Sequence, residues 1–234
     1  MRRAVFESFL SLRERGGQGA LLTELDGARE AVIECPKTGE TRRIIGDLDL
    51  TPALCEGVEE ALRIDRGVMV GDVFITPIGP AWRLAIIGAV HIAQVLAPMA
   101  QLAGYQVVII DPRQTFASQT RHPDQDLWHC WPQEGLQRFA PDSRSAIVSL
   151  SHDPKLDDPA LAFALMSESF YIAALGSRRT HAARLARLAE QGFTATQCAR
   201  LCGPAGLAIG AQSPAEIALS ILAQLTQARH ASRA

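Results

Sequence analysis

Leu84-Ala85-Ile86-Ile87-Gly88-Ala89-Val90-His91-Ile92-Ala93 is the stretch on which the reading of this chain turns. An apolar run, Arg83 to Ile87, meets a glycine. An amphipathic pattern follows from about His91 to Ala103, and Gly104 closes it as a helix C-terminal signal. Strand, glycine turn and helix together open a βαβ unit. The pattern then repeats. Gln106 to Ile110 is a second β-branched run, ending in Asp111-Pro112, and Ser145 to Leu150 and Phe170 to Leu175 are further strands. Helices are expected over Asp157 to Ser167, Ser177 to Glu190 and Ser213 to Gln227. The last has Ser213 as N-cap, Pro214 in the first turn and Glu216 at the third helical position. Strands alternating with helices predict an α/β fold: a Rossmann-like parallel sheet with helices on both faces.

Upstream the signals are shorter. Thr76-Pro77-Ile78-Gly79-Pro80 reads as a linker, which divides the chain into a small α+β N-terminal domain over 1–78 and the Rossmann-like domain over 79–234. The first part predicts a helix over Val5 to Arg15 and strands over Gly19 to Leu25, Glu30 to Cys35 and Thr41 to Ile45. A turn is expected at Pro36-Lys37-Thr38-Gly39. A helix over Thr51 to Arg66 begins with Thr51 as N-cap and Pro52 in its first position. The tail, Ala228 to Ala234, is expected to fray.

Composition narrows the function. With 47% hydrophobic and 21% charged residues, the 234-residue chain has enough apolar surface for a packed core, so disorder is excluded as its main state. The net charge of −2 offers no basic footprint for nucleic acid. No stretch reads as a membrane span, because Leu84 to Met99 is interrupted by His91, Gln94 and Pro98; the first residues lack a secretory core. Five scattered cysteines do not make a disulfide scaffold. The expectation is a reduced, cytoplasmic protein with no nucleic-acid or membrane partner. Its basic residues are 21 arginines and two lysines, Lys37 and Lys155. Genomic base composition accounts for such a bias, yet arginine is also the side chain best shaped for phosphate.

Three places carry candidate chemistry. The Gly88 turn matches G-x-G-x-x-G/A at the first glycine and the final small residue, but Val90 replaces the second glycine and keeps a diphosphate at a distance. Asp111, 23 residues after Gly88, stands where a ribose-binding carboxylate belongs. A dinucleotide site and a bare βαβ turn both remain open there, and His91 either caps the helix or sits in the turn. The second place is Gly176-Ser177-Arg178-Arg179-Thr180-His181, at a strand-to-helix join. Helix N–H groups, two hydroxyls and two cations converge there, as an anion requires; the alternative is that Ser177 only caps the helix. The third is Ser151-His152-Asp153. His152 and Asp153 would orient a ligand or move a proton, or else Asp153-Pro154 simply makes a turn. Asp157-Asp158-Pro159 is expected to start the next helix. Cys198 and Cys202 lack the second pair of a zinc site, so no metal ligand is assigned. Trp128, His129 and Trp131 are expected to pack a loop or an edge strand.

In combination, the Gly88 segment, Val108-Ile109-Ile110-Asp111-Pro112-Arg113, Ser151 to Pro154 with Asp157, Tyr171 to His181, Pro204 to Ala211 and Ser213 to Ala218 resemble the XdhC/CoxI family of xanthine dehydrogenase accessory proteins, over about Pro80 to Leu225. The resemblance implies a chaperone without turnover of its own. It would bind the molybdenum cofactor (molybdopterin or its dinucleotide form), protect it, support its sulfuration and insert it into an apo molybdenum hydroxylase of the xanthine or carbon monoxide dehydrogenase type. A cysteine desulfurase and a second copy of the chain are the further partners it implies. The cofactor-binding residues would be Gly88, His91, Asp111, Arg113, His152, Asp153, Gly176, Ser177, Arg178, Arg179 and Thr180. The family's Gly-Gly-Cys-Val-Glu motif has as its nearest counterpart Leu54-Cys55-Glu56-Gly57-Val58-Glu59, which offers Cys55 for a sulfur or molybdenum contact. The competing reading is an NAD(P)-dependent oxidoreductase.

Overall fold

The computed structural model describes residues 2–27, 29–35 and 43–231. The chain divides after Ala81 into two compact units.

The first unit contains α1 (Arg3–Glu14), β1 (Gly19–Glu24), β2 (Glu30–Glu34), β3 (Arg43–Gly46), α2 (Pro52–Ile64), β4 (Val68–Val70) and β5 (Val73–Ile78). The strands form an antiparallel sheet in the order β3-β2-β1-β5-β4. Alternation along the strands sorts their side chains by face. Ala20, Leu22, Ala31, Ile33 and Ile75 pack with Leu54, Val58 and Ala61 of α2. Val32 and Ile78 pack with Val5 and Leu12 of α1. The Thr51 hydroxyl accepts the Leu54 N–H at 3.3 Å and so caps α2. The expected turn at residues 36–39 lies outside the described residues.

One expectation fails here. Thr76-Pro77-Ile78 is not linker but the end of β5, with Pro77 opposite Ala20. Proline is tolerated because β4 pairs with Val73 to Ile75 and stops there. Beyond that point, among the described residues, β5 has a neighbour on one side, and a missing N–H breaks no ladder on the other. The β4–β5 hairpin itself was not expected. It turns on Gly71-Asp72, with Gly71 at φ +61°.

The second unit contains β6 (Trp82–Ile87), α3 (His91–Leu102), β7 (Tyr105–Ile110), β8 (Asp126–Trp128), α4 (Pro132–Phe139), β9 (Ser145–Ser149), α5 (Pro154–Leu165), β10 (Tyr171–Ala174), α6 (Arg178–Glu190), α7 (Ala195–Cys198), β11 (Leu201–Cys202) and α8 (Pro214–Ala231). Its sheet is parallel throughout, in the order β11-β10-β9-β6-β7-β8. The chain therefore winds outward twice, once from β6 and once from β9, which is the Rossmann order. The central strand is apolar on both sides. Leu84 and Ile86 meet α3 and α8 through Leu96, Ala97, Ala218 and Ile221. Ala85 and Ile87 meet the opposite helices through Leu136, Leu161, Ala164 and Leu188.

Two boundaries differ from expectation. Helix α5 starts at Pro154, three residues before Asp157, because the Asp153 side chain accepts the Lys155 N–H at 3.0 Å and proline suits the first helical position. Helix α8 runs to Ala231, so residues 228–231 are helical rather than frayed, and the residues beyond lie outside those described. The short elements α4, α7 and β11 were not expected, and around Trp128 the sequence admits a loop or an edge strand. Trp128 lies on the edge strand β8. Among the described residues, no helix is long and apolar enough to cross a membrane.

Candidate functional site

In a doubly wound sheet the two halves part at the carboxyl ends of the first and fourth strands, here β6 and β9, and ligands bind in that crevice. Gly88 follows β6 at φ +101°. A side chain there would come within 3.0 Å of the Ser151 backbone, so the turns after β6 and β9 touch at a point that admits only glycine. The Gly88 N–H donates to Ile110 O at 2.9 Å.

Asp111 is fully buried, and its carboxylate is saturated. It accepts the Ala89 N–H at 2.8 Å, the Arg113 N–H at 2.9 Å, and Arg113 Nε and Nη2 at 2.9 and 2.8 Å. Two oxygens provide about four acceptor positions, and all four are used. Burial opposes ionisation, but these donors outweigh it and hold the carboxyl below the usual aspartate range. Asp111 is thus the clamp of the Gly88 turn, and it has no acceptor position left for a ribose. The Arg113 guanidinium is held charged, first by its hydrogen bonds to Asp111, with Asp153 and Asp157 adding to the field. It lies over the Phe116 ring at 4.3 Å.

His122, which the sequence reading missed, takes the other side of this turn. Its ring is buried, with Nε2 3.3 Å from Ala89 O. The only signal for it was a histidine in an otherwise unassigned loop. His91 does not cap α3. It is the first helical residue and exposed, while the N-cap, Val90, supplies no side-chain hydrogen bond.

After β9, the three adjacent residues part company. Ser151 is buried and donates to Asp157, as does Ser149 at 2.6 Å. His152 is exposed, in a left-handed conformation at φ +61°. Asp153 is the helix cap already described. Asp157, expected to begin a helix, is instead a buried acceptor within one. Its other oxygen lies 3.7 Å from Arg184 Nη2, and that nitrogen donates to Leu175 O at 3.0 Å. Arg184 is also buried and was not expected.

After β10, Gly176 adopts φ +146° and leads into α6. Ser177 is the N-cap. Its hydroxyl accepts the Thr180 N–H at 3.1 Å and lies 2.9 Å from Thr180 Oγ1. The two hydroxyls thus serve each other and the helix, while Arg178 and Arg179 stand exposed beside the first turn. Cys55 is half-buried on α2, in the first unit. Among the described residues no group of three metal-ligating side chains assembles. Surface cavities of about 220 and 370 Å³ lie elsewhere, one between β7, β8 and α4 and one beside α5.

This arrangement defines a Rossmann-type domain whose glycine turn is locked by a buried acid and which presents arginines at a second helix N-terminus. The chain belongs to the family described as the XdhC Rossmann domain, whose model matches residues 84–225. It is 32% identical over 160 residues to the uncharacterised protein YqeB of Escherichia coli (strain K12), covering 68% of this chain and 29% of that one. It is 29% identical over 150 residues to the molybdenum cofactor insertion chaperone PaoD of the same organism, covering 64% and 41%. A Bacillus subtilis (strain 168) protein, named as a probable xanthine dehydrogenase subunit, is 31% identical over 159 residues, covering 68% and 46%. The chain thus spans less than half the length of these curated relatives. A crystal structure described as a xanthine dehydrogenase from Bacillus halodurans has the same fold, with a TM-score of 0.72 at 24% identity over 97% of this chain and 63% of that one.

Proposed function

We propose that this chain is an accessory protein that binds the molybdenum cofactor as cargo and delivers it to an apo molybdenum hydroxylase such as xanthine dehydrogenase. The observation that carries the reading is the α6 N-terminus. Arg178 and Arg179 are exposed there, and among the described residues neither guanidinium is engaged in an ion pair or hydrogen bond. A phosphate-bearing cargo fits that chemistry, because helix N–H groups and arginine forks both favour anions. The α3 N-terminus, without a side-chain cap, offers further N–H groups across the switch point. In this reading Arg178, Arg179 and the first turn of α6 hold the phosphate. Gly88, His91 and His152 face the rest of the molecule. Asp111, Arg113, Asp153, Gly176, Ser177 and Thr180 shape the turns that bind it.

Support comes from family membership and from a relative named as a cofactor insertion chaperone. The finer steps belong to the same proposal: protection of the cofactor, its sulfuration with a cysteine desulfurase, Cys55 as a sulfur contact, service to a carbon monoxide dehydrogenase-type enzyme, a homodimeric state and a cytoplasmic location. The saturated Asp111 weighs against the NAD-dependent form of the oxidoreductase alternative, which uses that carboxylate for the ribose 2′-hydroxyl.

The test is to incubate the purified protein with freshly released molybdenum cofactor, desalt and oxidise it, and read pterin fluorescence, titrating NAD and NADP in parallel. Retained pterin without nicotinamide binding is the expected result. Nicotinamide binding without pterin would overturn the proposal.

A further inference from the structure

Between the turn after β9 and the turn after β10 lies a buried polar chain that the proposed cargo site does not itself use. Arg184 is 2% exposed, on the second turn of α6. Its Nη2 donates to Leu175 O, two residues before the N-cap Ser177, and faces Asp157 Oδ2. Asp157 Oδ1 in turn accepts from Ser149 and Ser151. Ser151 is the residue against which Gly88 packs. A continuous path therefore runs from α6 through α5 to the central turn, and Arg184 ties it to the end of β10. Arg184 Nε and Nη1 are buried without a hydrogen-bond partner. The guanidinium is thus anchored at one edge only, by Leu175 O and Asp157. Burial of a half-satisfied arginine is costly, and packing alone does not call for it.

We infer that Arg184 is a positioning residue: it fixes the Leu175-Gly176-Ser177 turn against the loop after β9 and so sets where the α6 N–H groups and Arg178 and Arg179 present themselves to an anion. The inference rests on the proposed anion-binding role of α6. Gly176, at φ +146°, has no side chain to hold the turn, so its geometry comes from neighbours, and Arg184 supplies the contact from beneath.

The experiment compares wild type, Arg184→Met, Arg184→Lys and Arg178→Ala/Arg179→Ala in the full chain. Amide hydrogen exchange is read by peptide, and affinity for inorganic pyrophosphate by calorimetry. Arg184→Met is expected to speed exchange over residues 175–181 about tenfold relative to β7 and to weaken pyrophosphate about tenfold. Arg184→Lys keeps the charge and one donor, and restores most of both. Arg178→Ala/Arg179→Ala weakens pyrophosphate without changing exchange. If Arg184→Met does not fold, Arg184→Lys carries the test, with exchange over 175–181 alone faster by about twofold; wild-type rates there overturn the inference. It is also overturned if Arg184→Met leaves local exchange at the wild-type rate, or if the lysine and methionine variants are equally impaired. Failure of wild type to bind pyrophosphate would instead remove the anion-binding role of α6, and the exchange data would still decide whether Arg184 positions the turn.

Discussion

The Asp111 carboxylate accepts the Ala89 amide at 2.8 Å, so the acid that closes β7 holds the turn that closes β6. The pairing locks two adjacent strand ends, and Arg113 completes it from above. Asp111→Asn removes the charge that pairs with Arg113 and misplaces a donor against two N–H groups. Breaking a buried pair from one side costs about 3–5 kcal/mol; because Arg113 is a third exposed, we expect about 2–3 kcal/mol here. Urea unfolding measures it, and a loss below about 1 kcal/mol would mean that the clamp is dispensable.

The same saturation governs the cofactor question. Val90→Gly restores the glycine that Rossmann turns use for close approach of a pyrophosphate. It is nevertheless expected to bring no saturable NAD binding, because Asp111 still has no free acceptor. Micromolar NAD binding by this variant, read by calorimetry, would show that Val90 alone had kept nicotinamides out.

Gly88→Ala places a methyl group 3.0 Å from the Ser151 backbone and forces alanine to φ +101°. Strain of this kind costs about 1–3 kcal/mol, to which the backbone contact adds. Thermal unfolding should fall by several degrees, and an unchanged Tm would mean that the two turns separate freely.

Acid sensitivity should begin with histidine. Burial holds His122 below the usual imidazole value near 6.5, with Arg121 adding to it, and burial beside Arg184 does the same for His181. For both rings the folded value lies below the unfolded one, so the fold favours the neutral form. Their stabilisation is fully present above about pH 6.5 and is lost as the pH falls through the folded values. Asp111 is lowered relative to an ordinary aspartate, so its contribution persists until the pH drops below about 4. The urea midpoint should therefore decline as the pH falls below about 6.5 in wild type, and less steeply in His122→Asn. Parallel slopes for the two proteins would exclude His122.

At the proposed cargo site, Arg178→Ala with Arg179→Ala should weaken pterin retention by about 2–3 kcal/mol on charge-assisted hydrogen-bond magnitudes, with stability changed by less than about 0.5 kcal/mol because both side chains are exposed. Unchanged affinity would remove the α6 N-terminus from the site.

The sequence by itself determined the second unit's architecture. Leu84 to Ile87, Val107 to Ile110 and Ala146 to Val148 are apolar on both faces, and Gly88, Ser177 and Ser213 mark turns and caps through local backbone chemistry. Such signals need only near neighbours in the chain. They also placed Gly88, Asp111, Ser151 and Ser177 at strand ends. The short β11 escaped, and around Trp128 the edge strand β8 could not be told from a loop, because two or three residues carry no periodicity and exist only through pairing with a longer strand. Pro77 was misread for a related reason: whether a proline ends a strand or joins one depends on what stands opposite, and β4 stops short of it.

Only the tertiary structure decided what the polar residues do. Asp111 read as a ribose ligand from its position, and Asp157 as a helix start from its composition. One proved to be a turn clamp and the other the buried acceptor of Ser149 and Ser151 and the ion-pair partner of Arg184. His122 and Arg184 gave no pattern at all, since Ala89 lies 33 residues from the one and Asp157 27 from the other. Backbone propensity is written in neighbouring residues. The role of a buried charge is set by which partners the folded chain brings within about 3 Å to offset its desolvation.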